Sequence, residues 1–270
     1  MNPSLILIDS HVHIYDKYDI KRFFYYALLN FQKESNKLGF ENFTGVLFLT
    51  ETKNENYFSK LNENYFKNEL SELYLSKINS NESNSIVYKS LNNNYLIIIS
   101  GKQIITSENL EVLALGCAKN LNYGETLKEC IQKLNSLGVI PVIPWAVGKW
   151  TGKRKKIIEK FMENNSDQKY FLGDNSGRPV FWAAPKLFKT AGNKGVSILR
   201  GSDPLPLNYQ EEKVGKFGFY FQEELDLNNP AKNINDLLLD LKKSPENFGN
   251  LESPLNFIKN QFAMQFRKLF

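Results

Sequence analysis

Short apolar runs recur along the chain, and most stop at a glycine, a proline or a polar residue. Leu5–Ile8 leads into Asp9, Val46–Leu49 into Thr50-Glu51-Thr52, Leu96–Ile99 into Ser100-Gly101, and Val112–Leu115 into Gly116. Val139–Ile143 leads into Pro144-Trp145, Tyr170–Leu172 into Gly173-Asp174, and Val196–Leu199 into Arg200-Gly201-Ser202-Asp203. Runs this short, rich in β-branched residues and leucine, predict buried strands. The intervals follow a different period. In Asp19–Leu38, Phe23, Phe24, Ala27, Leu28 and Phe31 fall at helical spacing. Glu125–Leu137 lines up Leu127, Cys130, Ile131, Leu134 and Leu137, with Gly138 as a stop. Lys153–Asn164 groups Ile157, Ile158, Phe161 and Met162, and Pro179 suits the first position of a further helix.

Strands alternating with helices predict an α/β fold with a largely parallel sheet, and seven such runs suit barrel-like closure. Residues 53–94 break the rhythm. They are rich in Asn, Lys, Glu and Ser, and NENYF occurs at 54–58 and again at 62–66. Phe58, Leu61, Tyr65 and Leu73 predict an amphipathic helix there, within an insertion or lid. Asn79–Ser85 reads as a loop. Residues 231–270 predict two C-terminal helices separated by Pro245–Pro254. No linker marks a second domain, so residues 1–270 are expected to form one.

Composition narrows the class. The chain has 270 residues, 42% hydrophobic and 23% charged, which excludes wholesale disorder and coiled-coil rods. A chain this long buries a substantial core without disulfide or metal staples. The net charge of +5 comes from interspersed residues and does not by itself call for a nucleic-acid partner. Two cysteines, Cys117 and Cys130, make neither a disulfide framework nor a Cys-rich zinc site. No stretch approaches the ~18 apolar residues of a membrane span. The apolar start MNPSLILIDS has no basic segment or small-residue cleavage site, so a cytoplasmic location is expected.

The two histidines of the chain stand together as His11-Val12-His13 at the end of the first run. Two histidines placed at random would sit two apart in roughly one chain in a hundred. Side chains two apart on a strand share a face, so Asp9, His11 and His13 are expected to project together. Converging imidazoles make half of a metal site. The alternative is a polar strand end with no ligand. A complete site needs carboxylates, and Glu51, Asp174 and Asp203 stand at other strand ends. Barrels gather ligands in this way at the C-terminal face. Each acid taken alone is more often a cap or a turn residue.

A second feature is basic. GKWTGKRKK (148–156) opens a helix with Lys153, Arg154, Lys155 and Lys156, where positive charge opposes the macrodipole. An anion at that terminus would explain it. Arg178 in GRP repeats the idea, so Lys149, Arg154 and Arg178 are candidate substrate contacts. A merely solvated charge run is the other explanation. The run is not a P-loop, because Arg154 follows Lys153 where Ser or Thr is required. No G-x-S-x-G or GxGxxG motif is present.

DSHVHIYD after a first strand resembles the opening of the PHP (polymerase and histidinol phosphatase) group of amidohydrolase-like barrels. VLFLTET (46–52), IIISGKQI (97–104) and SILRGSDPL (197–205) resemble later strands of that group in the same order, over roughly residues 5–205. PWAVGKW, GDNSGRP and GSDPLP are similar to a bacterial subgroup of it. The resemblance implies a distorted seven-stranded barrel and phosphoester hydrolysis at up to three metals. His11 and His13 match its His-x-His ligands, Asp203 its late aspartate, and Gln103 stands where a glutamate is expected. Thr52 and Leu205 replace histidines, and Pro144 or Trp145 falls at a third histidine position. One divalent ion, Zn or Mn, is therefore expected on His11, His13 and Asp203, with help from Gln103 or Glu51. Glu51 or Asp174 would act as general base, and Lys149 and Arg178 would neutralise an anionic, phosphorylated small-molecule substrate. Two alternatives remain open at this point. One is a barrel that lost catalysis and kept an anion pocket. The weaker one is a nucleic-acid-processing protein.

Overall fold

The computed structural model of the chain describes residues 4–119, 121, 124–165 and 167–269, with side chains through residue 266. Phe270, the end of the expected helical tail, lies outside the described residues. The elements begin β1 (Leu5–Val12), α1 (Ile20–Lys37), β2 (Phe43–Glu51), α2 (Tyr57–Asn62), α3 (Lys67–Glu72), β3 (Ser76–Ile78) and β4 (Ser85–Lys89). They continue β5 (Tyr95–Ile105), β6 (Glu111–Leu115), α4 (Leu127–Ser136), β7 (Ile140–Pro144), α5 (Gly152–Asn164), β8 (Phe171–Asn175), α6 (Lys186–Asn193) and β9 (Ile198–Gly201). After a 3-10 turn at Gln210–Lys213 come β10 (Phe217–Gln222), α7 (Pro230–Leu239), β11 (Asn247–Gly249) and α8 (Pro254–Leu269).

All seven apolar runs are strands. The sheet path is nevertheless β11-β10-β1-β2-β5-β6-β7-β8-β9. Nine strands curl into a nearly closed barrel, where seven were expected. The two additions are β10, which pairs antiparallel with β1, and the short β11 beyond it. In β10, Phe217 and Phe219 are buried and pack its aromatic face. β1, β2, β5, β7, β8 and β9 run parallel to one another, and β6 runs against them. β5 changes partner midway: Tyr95–Ile99 pairs with β4, and Gly101–Ile105 with β6. Gly101 is required at the crossing, since a Cβ there would stand 2.7 Å from the Leu49 carbonyl oxygen.

Beyond Ile8, where β10 no longer pairs with β1, β9 meets β1. Ser10 Oγ donates to the Arg200 carbonyl at 2.9 Å, and the Asp203 N–H donates to the His11 carbonyl at 2.8 Å. Gly201 lets the strands touch, because a Cβ on it would lie 2.4 Å from His11 N.

Period-two alternation divides the core. Ile6, Ile8, Val46, Phe48, Ile97, Ile99, Leu113 and Val142 fill the barrel interior, where Ile234 and Leu238 of α7 join them. Their strand neighbours Leu5, Leu7, Leu47, Leu49, Leu96 and Ile98 face α1, α2 and α3. Val112, Ala114, Ile143 and Leu172 face α4, α5 and α6. Burying both faces is why these strands are continuously apolar.

α1 starts at the expected Asp19, whose side chain accepts the Arg22 N–H. α4 carries a full capping box between Thr126 and Glu129. Two expectations fail. The amphipathic helix of 53–94 is two short helices, because Asn64 adopts a left-handed φ of 61° between them and leaves Tyr65 exposed. The rest of that segment is the β3–β4 hairpin on β5. Pro179 opens no helix; it forms a bridge with Glu252, and α6 begins after Pro185. Among the described residues, no helix is long and apolar enough to cross a membrane.

Candidate metal centre

The C-terminal ends of the parallel strands bring the chemistry to one end of the barrel. His11 lies near the end of β1, His13 just beyond it, and Asp203 just after β9. Their ligating atoms lie within 4.8 Å of one another, the one such group among the described residues. His11 Nε2 and His13 Nε2 are 3.1 Å apart, and Asp203 Oδ1 is 3.5 Å from the first and 4.0 Å from the second. The circle through three points so spaced has a radius of about 2.1 Å, which is the bond length of zinc to imidazole nitrogen. The triangle therefore accommodates a divalent ion held by two nitrogens and one oxygen. Both imidazoles are buried, while Asp203 is partly exposed and leaves an approach from solvent.

The two rings differ electrostatically. Burial lowers the His11 pKa and outweighs the pull of Asp203, so this ring is neutral and ready to ligate. Burial pushes His13 in the same direction, but Glu55 and Asp203 together overcome it and the net shift is upward. Glu55 Oε2 stands 3.6 Å from His13 Nδ1, too far for a good hydrogen bond but on the side where a ligating histidine presents its other N–H. His13 Nδ1 is otherwise buried without a partner. Tyr15 stacks on His13 with ring centroids 5.5 Å apart.

Asp203 is held in two ways. Its φ of 46° is left-handed, a conformation Asp tolerates at a cost of order 1 kcal/mol. Its Oδ2 accepts the Asn175 side-chain amide at 2.8 Å, and that amide also donates to the Trp145 carbonyl at 2.8 Å. Asn175, the last residue of β8, thus ties the end of β7 to the triad.

Asp9 does not share the face of the histidines. The β1–β2 register shifts between Asp9 and Val12, and this bulge breaks the alternation. The Asp9 carboxylate instead accepts the backbone N–H groups of Ser202 at 2.8 Å and Gly215 at 2.9 Å. Burial pushes its pKa up to about 7, since these bonds recover only part of the desolvation.

The remaining candidates are placed as follows. Gln103, on β5, lies close enough to the His11 ring to raise its pKa. Glu51 accepts the Phe58 N–H through one oxygen and the Lys102 ammonium through the other, at 2.8 and 2.7 Å. Asp174 is gripped by Arg178, with Nε at 3.0 Å and an Nη at 2.8 Å, in a buried bidentate pair. Arg178 also donates to the Trp182 carbonyl at 3.0 Å. Lys149 pairs with Glu111 at 2.6 Å, and Arg154 donates to the Gly148 carbonyl at 2.8 Å. Glu111 opens β6, which runs against its neighbours, so it sits at the same barrel end, and its charge reaches both imidazoles. The sequence reading missed Glu55, Glu111 and Asn175. Only Asn175 carried a signal, its place beside Asp174 at a strand end.

No family model matches the sequence, and no curated protein does. Solved structures show the fold. PsfC from Pseudomonas syringae PB-5123 superposes with a TM-score of 0.54 at 12% identity, covering 98% of this chain and 99% of PsfC. Endonuclease Q, in complex with a 27-mer duplex substrate with an abasic lesion at the active site, superposes with a TM-score of 0.51 at 14% identity. That match covers 87% of this chain and 56% of the endonuclease, so the chain spans little more than half of that protein. The chain shares an α/β barrel-like fold with both.

Proposed function

We propose that the chain is a metal-dependent hydrolase of the PHP-like type, acting on an anionic, phosphorylated small molecule. The observation that carries this reading is the His11–His13–Asp203 triangle, whose three ligating atoms suit one divalent ion. Its fold resembles part of endonuclease Q, which was solved in complex with a 27-mer duplex substrate with an abasic lesion at the active site.

His11, His13 and Asp203 would hold the ion, with Gln103 beside His11. Zn or Mn fits two imidazoles and one carboxylate. Once bound, the ion supplies a water of lowered pKa and polarises the scissile group. Glu55 orients the His13 ring, and Asn175 fixes the Asp203 carboxylate. Glu51, Asp174 and Glu111 each have a cationic partner, in Lys102, Arg178 and Lys149. Glu111 is the one of the three whose charge reaches both imidazoles, so it would accept the proton, while Lys149 and Arg154 would face the incoming negative charge from the same barrel end. A second reading, an anion-binding barrel without turnover, is favoured by Thr52 and Leu205 standing where the resembled group has histidines.

Elemental mass spectrometry tests the site. Protein purified without chelator should carry about one Zn or Mn per chain, lost in the His11→Ala/His13→Ala variant while the fold persists. A metal-free protein that takes up no added ion would remove the hydrolase reading and leave the anion-binding one.

A further inference from the structure

The chain has three tryptophans, Trp145, Trp150 and Trp182, and all three line one cavity of about 420 Å³. Their companions in its wall include Lys155, Arg178 and Lys186, and no carboxylate lines it. Such a volume suits a small molecule, since ligand pockets start near ~300 Å³. The Trp145 and Trp182 rings meet as a corner, with centroids 6.1 Å apart and planes at 87°. A flat ring laid on one of them presents its edge to the face of the other, the favoured arrangement for aromatic groups. Trp145 and Trp150 are buried in the core on their far sides, while Trp182, packed against Phe257 and Phe181, still keeps 40% of its surface exposed. Arg178 holds it there through its carbonyl.

The charge of the wall is one-sided. Arg178 is neutralised by Asp174, which leaves Lys155, half-exposed beside Glu159 at 3.4 Å, and Lys186. The first turns of α5 and α6 also meet the cavity, through Thr151 and Lys155 and through Pro185, Lys186 and Leu187. Neither helix has an acidic residue in its first turn or a side chain capping its N-terminus. Two positive helix ends and two lysines around three indoles suit a planar ring bearing negative charge. The Asn175 amide, bonded to both the Trp145 carbonyl and Asp203, makes this wall a neighbour of the triad.

We propose that the tryptophan-lined cavity binds an aromatic ring carrying an anionic group, of the size of a nucleoside monophosphate. That this ring belongs to the substrate rests on the hydrolase reading; that the cavity binds it does not.

The test uses intrinsic fluorescence, because every tryptophan of the chain lines the cavity. Chelator-treated full-length protein is titrated with AMP, adenosine, inorganic phosphate and a short oligoadenylate, exciting on the red edge where adenine is transparent. AMP should quench saturably, adenosine and phosphate at least about tenfold more weakly. Trp182→Ala should abolish the response to both adenine ligands. Lys155→Ala/Lys186→Ala should weaken AMP by about tenfold and leave adenosine unchanged. An oligonucleotide binding more tightly than AMP, with the same sensitivity to the variants, supports the site and identifies its source as nucleic acid. No saturable quenching by either adenine phosphate, or quenching indifferent to both variants, overturns the proposal. Because metal is absent throughout, failure of the triad and failure of the cavity are read separately.

Discussion

Gly201→Ala tests the contact of β9 with β1 and the geometry of the triad together. The added Cβ would lie 2.4 Å from His11 N, 2.6 Å from its Cβ and 2.9 Å from its Cα. These atoms belong to the β1 backbone or its root, so no side chain can rotate away. Ordinary contact needs about 3.4 Å, so β9 and β1 must part by about 1 Å. Overpacking of this kind costs about 1–3 kcal/mol, which in a domain this large lowers Tm by roughly 2–10 °C. The movement also separates Asp203 from the histidines, because the bond from Asp203 N–H to the His11 carbonyl crosses the same seam. Metal affinity should therefore fall by about tenfold or more. Gly192→Ala is the control. It lies in α6 with nothing within 4 Å of the added methyl, and it should be neutral or stabilise by about 0.5–1 kcal/mol. Urea unfolding of chelator-treated protein and calorimetric titration with Zn and Mn supply the two readouts. If Gly201→Ala matches wild type in both, β9 and β1 are not in contact and the site has been drawn incorrectly.

Asn175→Ala removes the amide shared by Asp203 and the Trp145 carbonyl, and should weaken metal binding by about tenfold with little loss of fold; an unchanged Kd would show that Asp203 is positioned without it. Arg178→Ala leaves the buried Asp174 carboxylate with only Arg200, 4.0 Å away, and should cost about 3 kcal/mol in urea unfolding, most of it recovered in Arg178→Met/Asp174→Leu. If the single variant were as stable as wild type, the pair would not be buried as drawn. Burial pushes the Cys130 thiol up to about 12 and also raises that of Cys117, so neither should react with thiol reagents at neutral pH until the chain unfolds. The sign follows from linkage: a raised folded pKa means the fold favours the protonated thiol, so this contribution is whole below the unfolded pKa near 9 and is lost as pH rises toward 12. Rapid labelling of both cysteines in native protein would contradict their burial.

Local pattern was enough for whatever a strand or helix decides on its own. The seven apolar runs announced β1, β2 and β5 to β9 because most of their positions are buried on both faces, and the helical spacing within Asp19–Leu38 and Glu125–Leu137 announced α1 and α4 because that period is set within a few turns. His11, His13 and Asp203 were visible for a related reason, since strand ends of a parallel sheet gather at one end whatever the exact strand count. What failed depends on pairing between distant segments. The bulge after Asp9 is a property of two strands together, and it sends that carboxylate to Ser202 and Gly215 when spacing alone would have placed it with the histidines. The partners of the cations were hidden for the same reason. Glu111, 38 residues from Lys149, and Asp174, four from Arg178 on a strand end, become their neighbours only when the chain folds. Those pairings leave Lys186, and Lys155 beside Glu159, as the lysines of the cavity wall. An anion drawn to this barrel end would thus meet Lys155 and Lys186 at the tryptophan-lined cavity, and from there it would reach the triad across the residues that Asn175 joins.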